Sequence, residues 1–160
     1  MSSRRRYDSL EQEAYLNLWR TYDRLKAIEE EVFAPVGLSA QQYNALRLLK
    51  AAAPGTLTVQ GIGSRLISRA PDMTRLLDRL EDRGWIRRQR RADNRRVVDV
   101  AITPAGVELL SQLANAVREC HRRQLGHLSA DQLRQLIALL TDARAAHETD
   151  STSEENARGN

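Results

Sequence analysis

A chain of 160 residues, 41% hydrophobic and 29% charged, is about the size of one domain, able to bury a core and unlike a disordered polymer in composition. No apolar run approaches the ~18 residues that cross a bilayer, and the basic start MSSRRRYDSL has no apolar segment behind it. The one cysteine, Cys120, forms no internal disulfide, so membrane span, secretory signal and oxidising compartment drop out and the cytoplasm is the expected setting.

After the basic arm of residues 1–9, residues 8–34 place Tyr15, Leu18, Trp19, Tyr22, Leu25, Ile28, Val32 and Phe33 at three- and four-residue steps, the spacing of a helix with one apolar stripe. That stripe is expected to serve as core or dimer contact. Pro35 and Gly37 end it. Ser39-Ala-Gln-Gln42 has the form of a capping box and opens a second helix over about 40–52, stopped by Ala-Ala-Ala-Pro-Gly. Thr58 is the expected N-cap of a short third helix to about Leu66, in which Gly63 marks a close helix crossing and Gly61 has no evident reason.

A brief turn leads to a helix from Ser68 or Arg69 to Arg83 that buries Met73, Leu76, Leu77 and Leu80, carries Arg75 and Arg79 elsewhere, and ends at Gly84. Two helices joined so closely fit a helix-turn-helix. Next, Trp85–Arg91 and Val97–Thr103 read as two strands, with Val98, Val100 and Ile102 alternating to one side. Together they form a hairpin with a charged tip. Thr103-Pro104 starts a long helix to about Gly126. Ser129-Ala-Asp-Gln132 repeats the capping box before a last helix through Leu133, Leu136, Ile137, Leu140 and Ala143, and residues 148–160 are expected to be a disordered acidic tail.

Charge is unevenly placed along this order. The net charge is +4, yet residues 61–100 hold eleven arginines against six acidic residues, which confines the positive field to one region, as binding to a polyanion requires.

Three stretches, QQYNALRLL at 41–49, MTRLLDRLEDRGWIRR at 73–88 and DNRRVVDVAITPAG at 93–106, make the chain resemble the MarR family of bacterial transcription regulators. The resemblance covers residues 10–147 and implies a mainly α fold with a small β-hairpin wing. In that fold a winged helix-turn-helix lobe spans about 36–103, and dimerisation helices span about 10–34 and 104–147. It also implies a homodimer on a palindromic stretch of double-stranded DNA, and in many relatives a small aromatic or phenolic effector, with no membrane and no cofactor. Repression is the expected mode; an architectural or adaptor protein with little sequence preference is the alternative.

On this reading the recognition helix meets base edges through Ser68, Arg69, Asp72, Thr74, Arg75 and Arg79, while the wing tip is narrow enough for the minor groove. Arg87, Arg88, Arg90 and Arg91 along the strand are expected at phosphates, which position a protein without reporting sequence. At the tip, Asp93 is expected to orient an arginine by a bidentate ion pair. The family's wing aspartate falls nine residues before the threonine numbered Thr103 here, a place held by Asn94, with Asp93 one step earlier. The minor-groove reader is therefore Arg95 or Arg96.

Other chemistry finds little support. Cys120 lies on an apolar stripe, the place of a buried thiol rather than a redox sensor. His121, His127 and His147 are spaced too irregularly for a shared metal site, and neither a nucleophile motif nor a phosphate loop is present, so neither a metal nor an enzyme is expected.

Overall fold

A computed structural model describes residues 7–68, 70 and 72–148. The basic residues 1–6, Arg69, Pro71 and the acidic end 149–160 lie outside the described residues.

The first helix, α1 (Leu10–Phe33), is capped by Ser9, whose Oγ accepts from the Gln12 amide at 3.1 Å. A single turn at Ala34–Val36 leads to α2 (Ala40–Ala52). Here the capping box is complete: the Gln42 amide donates to Ser39 Oγ at 3.1 Å, and the Ser39 amide donates to Gln42 Oε1 at 2.9 Å. A two-residue strand, β1 (Leu57–Thr58), comes before α3 (Val59–Arg65), which Thr58 caps as expected by accepting from the Gly61 amide at 2.9 Å. This contact also accounts for Gly61, because a Cβ there would sit 3.0 Å from Thr58 Oγ1. The close crossing expected at Gly63 is not found: a Cβ would meet Met73 Cγ at an ordinary 4.0 Å.

The second helix of the pair, α4 (Met73–Asp82), is shorter than the sequence implies, because Asp72 caps it and leaves Ser68 in the preceding turn. Its end is a Schellman closure. Gly84, at φ 72°, donates to the Glu81 carbonyl at 2.8 Å, and the Trp85 amide donates to the Leu80 carbonyl at 3.0 Å. The hairpin follows as β2 (Ile86–Arg90) and β3 (Val98–Ile102), and β1 joins it to make a three-stranded antiparallel sheet in the order β1-β3-β2. A two-residue strand leaves too little alternation to be read from sequence.

In the sheet, Ile86 lies opposite Ile102, Arg88 opposite Val100 and Arg90 opposite Val98, so these residues share one face. On that face Ile86 and Val100 join Leu46, Leu49, Ile62, Leu77 and Leu80 as the fully buried centre of the core. Each such side chain contributes roughly 1.5–3 kcal/mol. The next helix, α5 (Pro104–Leu125), begins at the hairpin base: Thr103 Oγ1 donates to the Gly84 carbonyl at 2.6 Å and accepts from the Gly106 amide at 3.2 Å. Gly106 is buried against the Trp85 carbonyl and Ile102 Cγ1, where a Cβ would collide.

The chain divides within α5 into two compact units, one ending at Cys120 and the other beginning at His121. In the second unit α6 (Ala130–Glu148) starts at the Ser129 capping box and has no buried residue. Glu148, expected in the tail, is its last residue.

Candidate nucleic-acid interface

Packing decides which face of α4 is free. Leu76, Leu77 and Leu80 are buried, which turns Thr74, Arg75 and Arg79 to solvent. Arg75 and Arg79 are one turn apart and share a face. Among the described residues neither guanidinium has a hydrogen-bond or ion-pair partner. Ser68 is exposed in the turn before the helix, and Asp72 Oδ1 accepts from the Arg75 amide at 2.9 Å. That bond satisfies one of the helix's orphan donors, so Asp72 acts first as a cap.

Along β2 the arginines divide by parity. Arg88 lies on the core side of the sheet and reaches α4, where its backbone amide and Nε each donate to Glu81 at 2.9 Å and Nη2 meets Glu81 at 2.7 Å and Asp78 at 2.5 Å. Its side chain is only 24% exposed. The guanidinium holds the Glu81 carboxyl below the usual carboxylate range. Arg88, expected at a phosphate, has its guanidinium occupied by two carboxylates of α4. Register gives the reason, since a residue opposite the buried Val100 projects toward the helices.

On the opposite face, Arg87, Gln89, Arg91, Asp99 and Ala101 line an open depression of about 270 Å³. Arg91 donates through Nε and Nη2 to Asp99 at 2.7 and 2.9 Å, a bidentate pair between diagonal positions on neighbouring strands. Arg91 lowers the pKa of the Asp99 carboxyl, with a smaller contribution from a Thr56 hydrogen bond. The bidentate pair expected of Asp93 is therefore made by Asp99. Asp93 itself is exposed and forms no ion pair among the described residues. Arg87 and Arg90 are exposed and likewise unpaired among these residues.

The tip is closed by Asn94, whose carbonyl accepts from the Val97 amide at 2.9 Å and whose Oδ1 accepts from the Arg96 amide at 3.2 Å. Such local side-chain bonding is what asparagine contributes to turns. It leaves Arg95 and Arg96 exposed, with guanidiniums free among the described residues.

The outer face of α4 and the hairpin tip thus both carry cations unpaired among the described residues, while the nearby carboxylates Asp78, Glu81 and Asp99 are ion-paired. A helix and a finger that both present guanidiniums define a winged helix-turn-helix able to meet a polyanion. The comparisons agree. The MarR family model matches residues 38–98. Over 112 residues, 69% of this chain and 68% of the relative, the sequence is 31% identical to the HTH-type transcriptional regulator PecS of Dickeya dadantii. A crystal structure of a MarR transcription factor from Planctomyces limnophilus is 60% identical, with a TM-score of 0.69, covering 84% of this chain and 98% of that one. A mutant MarR from E. coli, solved in complex with operator DNA, has the same fold at 24% identity and a TM-score of 0.73, covering 85% of this chain and 99% of that one. The chain belongs to the MarR family of DNA-binding transcription regulators.

Proposed function

We propose that this protein acts as a homodimeric, ligand-responsive repressor in the cytoplasm, binding a roughly palindromic operator with half-sites about one helical turn apart. Thr74, Arg75 and Arg79 of α4 meet base edges in the major groove, with Ser68 and the Asp72 cap at its entry; Arg69, also expected at a base edge, lies outside the described residues. Arg95 or Arg96 enters the adjacent minor groove, where a weakly hydrated guanidinium is drawn to the enhanced negative potential of narrow A/T-rich DNA. Arg87 and Arg90 meet phosphates. The observation that carries the reading is the sorting of charge: exposed arginines on α4 and the tip are unpaired among the described residues, while Asp78, Glu81 and Asp99 are tied to Arg88 and Arg91.

Dimerisation through α1 and the C-terminal helices is supported by what they leave uncovered. Along α1, Tyr15, Trp19 and Tyr22 are 57–62% exposed, and on α6 Ile137 and Leu139 are 63% and 68% exposed. Response to a small aromatic or phenolic effector rests on the family resemblance, and would act by changing the distance between the two recognition helices. For the cytoplasm, the support is that no helix of the described residues is long and apolar enough to cross a membrane.

The deciding experiment compares affinities for a selected operator and a scrambled duplex at fixed salt. A ratio of about 10³ or more is expected. Arg75→Ala should weaken operator binding at least tenfold with little effect on the scrambled duplex. A ratio near unity for the wild type would instead indicate the architectural alternative, and equal losses for Arg75→Ala would remove the role assigned to that residue.

A further inference from the structure

Between α3 and α4 the chain places an isoleucine in water. Ile67 is 90% exposed, the highest value among the large apolar side chains of the described residues. Its neighbour Leu66 is 8% exposed and anchors the turn in the core, with its amide bonded to the Ile62 carbonyl at 3.0 Å. The Ile67 amide is itself fixed, donating to Asn44 Oδ1 of α2 at 3.0 Å. The backbone leading into Ile67 is thus held, and the β-branched side chain has few rotamers. A helix end often uses an apolar residue just past the C-cap to close against the last turn, but at this exposure Ile67 makes no such closing contact.

The surroundings identify what would cover it. Arg65 lies two residues before it, and Arg47 stands one turn from Asn44 on α2; both are exposed and unpaired among the described residues. Past the turn, Arg75 faces solvent from α4. A single exposed apolar side chain on a turn between segments that carry free guanidiniums does not match an apolar protein surface, which needs a contiguous patch. It does match a DNA major groove, where one apolar group per A·T pair, the thymine C5-methyl, projects among acceptor atoms and phosphates.

We infer that Ile67 reads a thymine methyl group in each half-site of the operator. This rests on the regulator reading above and adds a specificity element outside the recognition helix. Burying one methyl against one side chain is worth roughly a fourfold change in affinity.

The test begins with selection of a preferred duplex from a random pool by the wild-type protein, followed by replacement of each thymine in turn with deoxyuracil, which removes only the methyl. At one thymine per half-site the wild type should lose about fourfold, and Ile67→Ala should show no penalty there. On the all-thymine duplex Ile67→Ala should bind like the wild type on a duplex with uracil at that position in both half-sites, about sixteenfold weaker, with the same salt slope. Because Ile67 lies outside the core, Ile67→Ala should unfold at the wild-type temperature. A uracil profile identical for both proteins overturns the inference and leaves the regulator reading intact. A pool that yields no preferred sequence overturns both.

Discussion

Arg88 of β2 grips Glu81 of α4 through both its backbone amide and its guanidinium, at 2.7–2.9 Å, and the same guanidinium holds Asp78 one turn earlier on that helix. The recognition helix and the strand leading to the wing tip are thereby joined by side chains as well as by the short Arg83–Trp85 link. Two elements proposed to enter neighbouring grooves are thereby linked to each other. The pairing also neutralises two carboxylates that would otherwise repel phosphates beside Arg75 and Arg79.

If Arg88 positions the wing rather than touching DNA, it should differ from Arg87 in salt dependence. Arg87→Ala is expected to weaken binding to all duplexes and reduce the slope of log K against log salt by about one. Arg88→Met should leave that slope unchanged while lowering both stability and operator affinity. The stability loss should be about 1 kcal/mol, below the ~1.5–3 kcal/mol of a well-buried charge-assisted bond because these carboxylates are partly exposed and screened. Thermal unfolding and a salt titration of both variants check this. A flattened slope for Arg88→Met would return the residue to the phosphate backbone.

The same pair has a pH signature. Arg88 lowers the Glu81 pKa in the folded protein, so the unfolded chain binds the proton more readily. Stabilisation from the pair is complete above the ordinary carboxylate value of about 4.3 and is lost as pH falls through the lowered folded value. The stability difference between wild type and Arg88→Met should therefore be constant from pH 7 to about 5, then shrink in acid. Denaturant unfolding at a series of pH values measures it. A difference that grows in acid would contradict the assignment.

Elements bounded by local chemistry were legible in the sequence. Ser39 and Ser129 open their helices with capping boxes, Thr58 caps α3, Gly84 closes α4, and the alternation of Val98, Val100 and Ile102 gives the hairpin's buried side. What could not be read is where a side chain meets another element. Six arginines between 87 and 96 look alike as a run; strand parity puts Arg88 and Arg90 on one face, and only the crossing of α4 separates Arg88 from the rest. Likewise, choosing Asp99 over Asp93 as the partner of Arg91 needs the strand register, which sets Asp99 opposite Gln89 and beside Arg91 on one face. The start of α4 at Met73 depends on Asp72 being its cap, a role that the sequence alone does not distinguish from a place further inside the helix.

Asp72 can be tested by separating its charge from its acceptor. Asp72→Ala removes the bond to the Arg75 amide and should cost about 1 kcal/mol. Asp72→Asn keeps an acceptor at the cap and should be near wild type in stability. With one negative charge fewer beside the phosphates, Asp72→Asn should bind all duplexes more tightly by about twofold to threefold at low salt, with the ranking of sequences preserved. Binding to a panel of single-base operator variants is the measurement. A reordered ranking would show that the carboxylate reads a base.

Helix α1 gives the last prediction, because its apolar stripe is mostly uncovered. Phe33 is the one buried residue of the helix, while Trp19 is 60% exposed and Tyr15 is 62% exposed, with their rings 6.1 Å apart. Exposed aromatic area of this kind is costly in water, and a second copy offering the same stripe would cover it. Trp19→Glu places a charge in that contact without touching the core, so the fold should persist while the subunits separate. Sedimentation should shift from dimer to monomer, and affinity for the full palindrome should fall by about 100-fold or more as one linked two-site event becomes two weak ones. Affinity for an isolated half-site should not change. An unshifted sedimentation coefficient with intact operator binding would rule out α1 as the surface that pairs the subunits.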